Sequence, residues 1–596
     1  MANYSKAHIC QCLSRVSTVR RSSTVTVAGD RRKTGAQLVE GVLSLARGLL
    51  QLGLKPGDVV AICALNSDLY LEWLLAVAYA GGITAPLNYR WSLEEAMEAV
   101  EVARPTLLVT DSMFNFWHSK LHADSIPSLR WHVSMDVPFG VKSTWTGLTT
   151  EKLTKHFEKS LATNYLWAPE GAAIICFTSG MPHVLISLFP SVLQAYLCNL
   201  LCSFYMTIGT TGRPKGVTLS HSALLVQSLA KIAIVGYGED DVYLHTAPLC
   251  HIGGISSALA VLMAGGCHIL IPKFDAGLAV GSIHQHHVTS LITVPAMMAD
   301  LVSFYSRKGA PEGSETVKKI LNGGGALSVE LITHAATIFP RAKLLSAYGM
   351  TEACSSLTFM TLYDPTNKSV RQQLQLNDVR NSNLARQPEG TCVGKPAPHV
   401  ELRVCAEDYS SHIGRILTRG SHVMLGYWGQ TSNKTSDLAG ENWLDTGDIG
   451  QIDNHGNVWL IGRSKGRIKS GGENVYPEEV EAVLSQHPGV SGSVVVGVPD
   501  SRLGEMVVAC IRVKGNWLWD DLSSNPSVSD TGNYLSGHIL RCFCKEKQLT
   551  GFKVPKRFIL WRRNQFPVTS TGKIRRDQVR RELMSNNMQL MISSKL

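Results

Sequence analysis

Between Thr34 and Leu345 the chain switches repeatedly between two hydrophobic periods, and that alternation limits its possible folds more than any other feature. From Thr34 to Leu52 apolar residues recur at helical spacing (Leu38, Val42, Leu43, Leu45, Leu49, Leu50). Gly53 supplies a stop, and Lys55-Pro56-Gly57-Asp58 makes a turn before the apolar run Val59 to Ala64. The pattern predicts a helix, a strand, a second helix over Asp68 to Ala80 ended by Gly81-Gly82, and a further strand near Thr84 to Leu87. Strands that alternate with helices in this way indicate an α/β core with mostly parallel sheets.

The texture changes further on. From Gly394 to Leu460 short strands are separated by Gly, Pro and Asp, which predicts a small β-rich unit. From Arg467 a helix (Glu478 to His487) and strands (Val494 to Val498, Val507 to Val513) predict a separate α+β domain. Asn516 to Asn533, rich in Ser, Asp and Trp, is expected to be a surface loop. At 596 residues the chain exceeds one core, and its length suggests about three or four domain-sized units.

Composition excludes several classes. With 44% hydrophobic and 17% charged residues the chain is an ordinary globular one, not an extended disordered one. The formal charge of +10 suits nucleotides, coenzyme A or acidic surfaces, but the basic residues are scattered and form no nucleic-acid stripe. Fourteen cysteines in so long a chain make no disulfide framework. Cys10-Gln-Cys12 and Cys542-Phe-Cys544 lack zinc-site spacing, so free thiols in a reducing compartment are expected.

The ends carry possible addresses. Ser594-Lys595-Leu596 matches the peroxisomal tripeptide. At the other end the first acidic residue is Asp30, after Arg15, Arg20, Arg21 and several serines, a composition compatible with a chloroplast or other organelle transit peptide. The competing and preferred expectation is a folded helix from His8 to Val19 leading to a strand near Ser23 to Val27.

Met181 to Gly209 does not fit the surrounding texture. It is uncharged apart from its histidine, contains LISLFPSVLQAYLCNLLCSFYM, and has about the length of a membrane span, though with Pro190 inside and no basic flank. Setting it aside joins Phe177-Thr178-Ser179-Gly180 to Thr210-Thr211-Gly212-Arg213-Pro214-Lys215-Gly216 and restores FTSGTTGRPKG. Such a loop would suit a phosphate, because small residues allow close backbone approach, hydroxyls and N–H groups can donate hydrogen bonds, and Lys215 adds positive charge. The pattern is not GxxxxGK[ST], so no P-loop NTPase is implied. A translated in-frame intron accounts for the interruption, and no membrane partner is then expected; if the segment is real, the split loop predicts an inactive or tethered homologue.

FTSGTTGRPKG resembles the phosphate-binding signature of the adenylate-forming (AMP-binding) acyl-CoA ligases, and the resemblance runs from about Thr34 to Lys573. Tyr348-Gly349-Met350-Thr351-Glu352 is similar to the family's YGxTE element. The resemblance implies that Tyr348 stacks on adenine, Thr351 contacts phosphate and Glu352 holds Mg²⁺. It implies too that the glycines of Asn322-Gly323-Gly324-Gly325 let backbone approach the adenine, and that Pro248 to Gly254 sets His251 beside the acyl pocket. In Trp443 to Asp448, Asp448 has two acceptor oxygens for the ribose hydroxyls. Gly462 to Lys469 resembles the joint between domains, with Arg463 reaching the ribose and Gly466 replacing the usual hinge acid. Ser470 to Glu481, with Lys469, Gly471 and Gly472, resembles the coenzyme A face. Pro567 to Lys573 resembles the element whose lysine, here Lys573, bridges the substrate carboxylate and α-phosphate.

The resemblance implies a large N-terminal adenylation domain (1–462, interrupted at 181–209) and a smaller mobile C-terminal domain (463–596). It also implies ATP, Mg²⁺ and coenzyme A acting with a small carboxylate in two steps. GYGEDDVYLHTAPLCHIGG, ITVPAMMADL, KILNGGGALS and LLSAYGMTEACSSLTFMTL resemble one branch in particular, the plant 2-succinylbenzoate–CoA ligases of phylloquinone synthesis. Cinnamates and medium-chain fatty acids are the competing substrates. Arg90 and His251 are candidates to meet the carboxylate that is not activated.

Overall fold

The computed structural model describes residues 7–91, 93–121, 126–135, 147–155, 164–178, 214–308, 313–367, 390–406, 412–430, 443–463, 466–470, 473–500, 503–520, 533–547, 549, 551–568 and 574–593. The chain divides into two compact units, residues 1–381 with 394–401 and 419–435, and residues 382–393 with 402–418 and 436–596.

The predicted alternation produces the first unit. Helix Gly35–Leu52 begins at Thr34, whose hydroxyl accepts from the Gln37 N–H while the Gln37 side chain accepts from the Thr34 N–H, a reciprocal cap. It ends at Gly53, whose φ of 95° is left-handed and open to glycine at no steric cost. Strand Val59–Cys63, helix Asp68–Tyr79 and strand Ile83–Pro86 follow as expected.

An eight-stranded sheet runs in the order Gly426–Tyr427, Lys215–Ser220, Ala172–Thr178, Ile83–Pro86, Val59–Cys63, Leu107–Thr110, Trp131–Ser134, Leu148–Thr149. It is parallel from Ala172–Thr178 onward and antiparallel at the other edge. A second sheet of this unit runs Ser355–Tyr363, Lys343–Met350, Lys319–Gly323, Ser290–Thr293, Val242–His245, Cys267–Leu270, Thr24–Ala28, Arg31–Thr34. It too is parallel inside, with an antiparallel pair at each end.

The N-terminal segment takes the folded form. Helix Gln11–Val19 buries Cys12, Leu13 and Val16, and Thr24–Ala28 pairs in parallel with Cys267–Leu270. Cys10 and Cys12 are buried free thiols, and burial pushes the Cys12 thiol up to about 12.

The second unit holds antiparallel strands Gly414–Arg419, Leu444–Ile452 and Val458–Arg463. Beyond them lies a sheet of Glu473–Val475, Ile468–Ser470, Gly504–Val513 and Val490–Asp500, with Arg557–Leu560 parallel to Gly504–Val513. Strand Val490–Asp500 shows the two-residue period directly. Val495 packs with Val480 and Leu540 of helices Pro477–Leu484 and Gly537–Glu546, while Val494, Val496 and Val498 pack with Val579 and Leu583 of helix Arg576–Ser593. The expected loop from Asn516 contains a strand instead. Trp517–Trp519 pairs in parallel with Asn533–Leu535, held because Trp517 lies edge-on to His487 and over Gly489, where a Cβ would come within 2.7 Å of its ring.

Among the described residues no helix is long and apolar enough to cross a membrane. Met181 to Gly209 lies outside the described residues, as does Ser594-Lys595-Leu596.

Candidate active site

Two antiparallel strand pairs of the first unit carry most of the site. In the first, Ala172–Thr178 is buried from Ala172 to Phe177 and pairs with Lys215–Ser220, so that Thr178 stands opposite Lys215. Gly216 is required by close packing, since a Cβ there would lie 2.8 Å from Ile175 Cγ2. The two flanks of the phosphate segment are therefore brought together by strand register. Ser179, Gly180, Thr210, Thr211 and Gly212 lie outside the described residues.

In the second pair, Lys343–Met350 turns through Thr351–Ala353 into Ser355–Tyr363. Any residue but glycine at 349 would set its Cβ 1.6 Å from the Ser355 carbonyl oxygen. Cys354 and Ser355 take positive φ, 54° and 108°, conformations that non-glycine residues adopt only under constraint. Part of that constraint is Gln227, fully buried on helix His221–Val235, whose amide donates to the carbonyls of Ala353 at 3.1 Å and Ser356 at 2.6 Å. The Met424 N–H donates to the Glu352 carbonyl at 2.9 Å.

Tyr427 links the two pairs. It lies on Gly426–Tyr427, opposite Val217 of the first pair, and its hydroxyl donates to Glu352 Oε1 at 3.1 Å. Lys215 Nζ sits 5.1 Å from the centroid of the same ring, within cation–π range. Burial, and then the Glu352 carboxylate, holds the phenol above its ordinary pKa. Lys215, Tyr427 and Glu352 thus form one connected group of cation, aromatic ring and carboxylate.

The glycine segment adjoins it. Gly323 pairs with Ala347, the residue before Tyr348; Gly324 has a φ of 75°; and Asn322 Nδ2 donates to the Gly325 carbonyl at 2.8 Å. Among the described residues, no atom lies within 4 Å of where a Cβ at Gly323 would stand. Tyr348, on strand Lys343–Met350, and Thr351, at the start of the turn that follows, are half-buried. His251, also half-buried, is the N-cap residue of helix Ile252–Ala264. Its loop is clamped by Asn66, which accepts from the Leu249 N–H at 2.8 Å and donates to the Ala247 carbonyl at 3.2 Å. Sequence reasoning missed Tyr427, Gln227 and Asn66.

In the second unit, Asp448 is buried and stands opposite Arg463 in register, with Arg463 Nε donating to Asp448 Oδ1 at 3.0 Å. Thr446 accepts from the Asp448 N–H at 3.1 Å and donates to the Ile416 carbonyl at 2.8 Å, fixing the turn. Among the described residues, a Cβ at Gly466 would meet Arg463 Cβ alone, at an ordinary contact distance of 3.8 Å. Lys469 lies on strand Ile468–Ser470, while Gly471, Gly472 and Lys573 fall outside the described residues.

The first unit is an α/β structure in which two sheets present a carboxylate, a lysine and a glycine-rich segment. The AMP-binding enzyme family matches residues 13–181 and 199–428, and the AMP-binding enzyme C-terminal domain matches 479–573. The chain belongs to this family. The break in the match falls inside Met181 to Gly209.

Among individual relatives, 2-succinylbenzoate–CoA ligase, chloroplastic/peroxisomal, of Arabidopsis thaliana is 54% identical over 610 residues, covering 100% of both chains. Indoleacetate–CoA ligase of Aromatoleum aromaticum is 28% identical, over 92% of this chain and 93% of its own. In structure the chain is similar to ATP-bound MatB of Rhodopseudomonas palustris (TM-score 0.71, 25% identity, 96% of this chain and 98% of that one). It also shares its fold with the Bacillus subtilis o-succinylbenzoate CoA synthetase MenE in complex with the acyl-adenylate OSB-AMP (TM-score 0.68, 23% identity, 95% and 97%).

Proposed function

We propose that the chain is an AMP-forming acid–thiol ligase that converts 2-succinylbenzoate, ATP and coenzyme A to 2-succinylbenzoyl-CoA, AMP and pyrophosphate. The observation that carries this reading is 54% identity along the whole of both chains to a plant ligase of that name. We carry over that relative's chloroplastic/peroxisomal location as well. Family membership implies ATP binding.

A substrate carboxylate attacks the α-phosphorus of ATP in line, and pyrophosphate leaves. The coenzyme A thiol then attacks the acyl-adenylate carbonyl, and AMP leaves. Neither step needs a nucleophilic side chain, so the protein's part is positioning and charge neutralisation. In our reading Thr178, Ser179, Gly180, Thr210, Thr211, Gly212 and Lys215 bind the phosphates, with Thr351. Tyr348, Gly349 and Gly323 to Gly325 seat the adenine, Asp448 and Arg463 the ribose, and His251 borders the acyl group. Lys573 neutralises charge at the α-phosphate, and Lys469, Gly471 and Gly472 face coenzyme A. The adenylation domain would end at 462 and the smaller domain begin at 463.

Glu352 suits magnesium. Among the described residues no group of three or more His, Cys, Asp or Glu gathers to hold a metal, so an ion here would take most ligands from ATP and water. That is the habit of magnesium, which when bound neutralises phosphate charge.

A second reading, an inactive homologue, is favoured by one observation: Met181 to Gly209 divides the phosphate segment. ATP- and coenzyme A-dependent thioester formation tests both, with cinnamate and octanoate as competing acids. Selective turnover of 2-succinylbenzoate is the expected result. Preference for either competitor would overturn the substrate assignment.

A further inference from the structure

Helix His221–Val235 is apolar over most of its length, yet it buries Gln227 and Lys231 four residues apart, hence on one face. Gln227 grips the turn that carries Glu352. Lys231, fully buried, reaches the same place one turn along. Its Nζ donates to Ser256 Oγ at 2.6 Å, Ser257 Oγ at 3.0 Å and Ser355 Oγ at 3.2 Å. Ser256 and Ser257 belong to the helix that His251 caps, and Ser355 follows Glu352 by three residues. The amine therefore stands where the helix led by His251 meets the strand led by Glu352.

Its partners are unusual. A buried ammonium is costly unless an anion accompanies it. The other buried lysine among the described residues, Lys553, has Glu479 at 2.7 Å, and half-buried Lys33 has Asp68 at 2.9 Å and Glu72 at 2.6 Å. Lys231 has hydroxyls. Burial holds the neighbouring Cys354 thiol up at about 12 and raises the Tyr243 phenol as well, so both stay neutral. Burial brings Lys231 itself down to about 7. Among the described residues no carboxylate accompanies it, and Ser355, half-buried, is the most exposed of its three partners.

We propose that Lys231, framed by Ser256, Ser257 and Ser355, is the specificity-determining residue that receives the carboxylate of the acid that is not adenylated. The inference rests on the assignment of 2-succinylbenzoate as substrate, a diacid of which one carboxylate is consumed in the first step. The second must be desolvated when the acyl group is enclosed. To meet it the ammonium exchanges one of its three hydroxyl partners for a carboxylate oxygen, and the released serine can donate to the other oxygen. Arg90, one of the two candidates taken from the sequence, is exposed, with its guanidinium 5.4 Å from the Tyr89 ring centroid.

The test compares kcat/KM for 2-succinylbenzoate with kcat/KM for two monoacids that each lack one of its carboxylates, 4-oxo-4-phenylbutanoate and 2-butanoylbenzoate. It is run on the full chain and on the chain without Met181 to Gly209, each with Lys231 intact, as K231Q and as K231M. K231Q keeps a hydrogen-bonding group for the serines but no charge, so a purely structural lysine would be rescued by it. With Lys231 intact the diacid should be preferred over the better monoacid by about 100-fold, as expected when a buried charge pair loses one partner. In K231Q and K231M that preference should fall below about fivefold, mostly through KM, with turnover of the monoacid changed by less than about threefold. A K231Q enzyme that keeps the full preference overturns the proposal, as does one that loses activity on diacid and monoacid equally. If K231M does not fold, K231Q decides alone; if K231Q does not fold either, Lys231 is a structural residue and the proposal falls. Absence of any 2-succinylbenzoate thioester with Lys231 intact sinks the substrate assignment instead, and this inference with it.

Discussion

The two strand pairs of the active site solve the same problem with opposite means. Lys343–Met350 and Ser355–Tyr363 are joined by residues 351–354, and nearly every atom of that turn is specified. Gly349 has no room for a Cβ, Cys354 and Ser355 hold positive φ, and Gln227 takes two of the carbonyls. Ala172–Thr178 and Lys215–Ser220 are joined by residues 179–214, yet their register is as definite as the other. It comes from burial of the strand from Ala172 to Phe177 and from the fit of Gly216 against Ile175, neither of which depends on the connection. Lengthening a seven-residue connection by Met181 to Gly209 costs only about 1.5 kcal/mol of closure entropy, because that cost grows with the logarithm of length. A phosphate cradle has no such tolerance, since each N–H must point at an oxygen and every dihedral matters. Folding and chemistry therefore place different demands on the same loop.

The sharpest way to break this comparison is to remove Met181 to Gly209. The shortened chain should form 2-succinylbenzoyl-CoA at least about 1000-fold faster than the full chain, the scale on which lost positioning is felt. Its melting temperature should move by no more than about 5 °C, in keeping with the small closure term. Parallel thioester assays and thermal melts measure both. Equal activity would mean that residues 181–209 leave the cradle intact, and a large gain in stability would mean that they disturb the strands as well. Transcript reads across Gly180 and Thr210 address the intron origin independently.

What sequence revealed follows the same division. FTSG and TTGRPKG, YGMTE, NGGG and TGD are legible because the residues of each are contiguous once Met181 to Gly209 is set aside. The alternation that predicts the α/β core is legible because helix and strand periods are local. Tyr427 was not, since Gly426-Tyr427-Trp428-Gly429 reads as a turn and its partner Glu352 is 75 residues away. Gln227 and Lys231 did leave a signal, two polar residues at helical spacing in the otherwise apolar stretch after His221, but what they hold lies over 100 residues downstream in the case of Ala353, Ser355 and Ser356. The strand Trp517–Trp519 was hidden for a similar reason. Its cause is packing of Trp517 on Gly489 and His487, which composition does not show.

A smaller effect is expected at the intact turn that carries Glu352. Glu352→Gln keeps the acceptor for the Tyr427 hydroxyl and the volume of the side chain, but removes the charge. In whichever chain forms the thioester, kcat should fall about 100-fold and the magnesium concentration for half-maximal rate should rise, the usual scale for losing one charge-stabilising group. Steady-state rates across a magnesium titration measure it. Unchanged magnesium dependence would show that the turn serves shape alone, and would erase the functional contrast with the first pair.

The smallest effect is expected at the link itself. Tyr427→Phe removes the hydroxyl that donates to Glu352 but leaves the ring over which Lys215 sits, 5.1 Å from its centroid. A hydrogen bond to a carboxylate contributes roughly 1.5–3 kcal/mol at most, and Glu352 is only half-buried, so a rise of about three- to tenfold in KM for ATP is the expected result. Tyr427→Leu, which also removes the ring, should add a further loss by freeing Lys215 from its resting place. If Phe behaves as wild type while Leu is impaired, the two strand pairs communicate through the aromatic face rather than through the hydroxyl. If both behave as wild type, each pair is positioned by its own sheet, and Tyr427 merely fills the space between them.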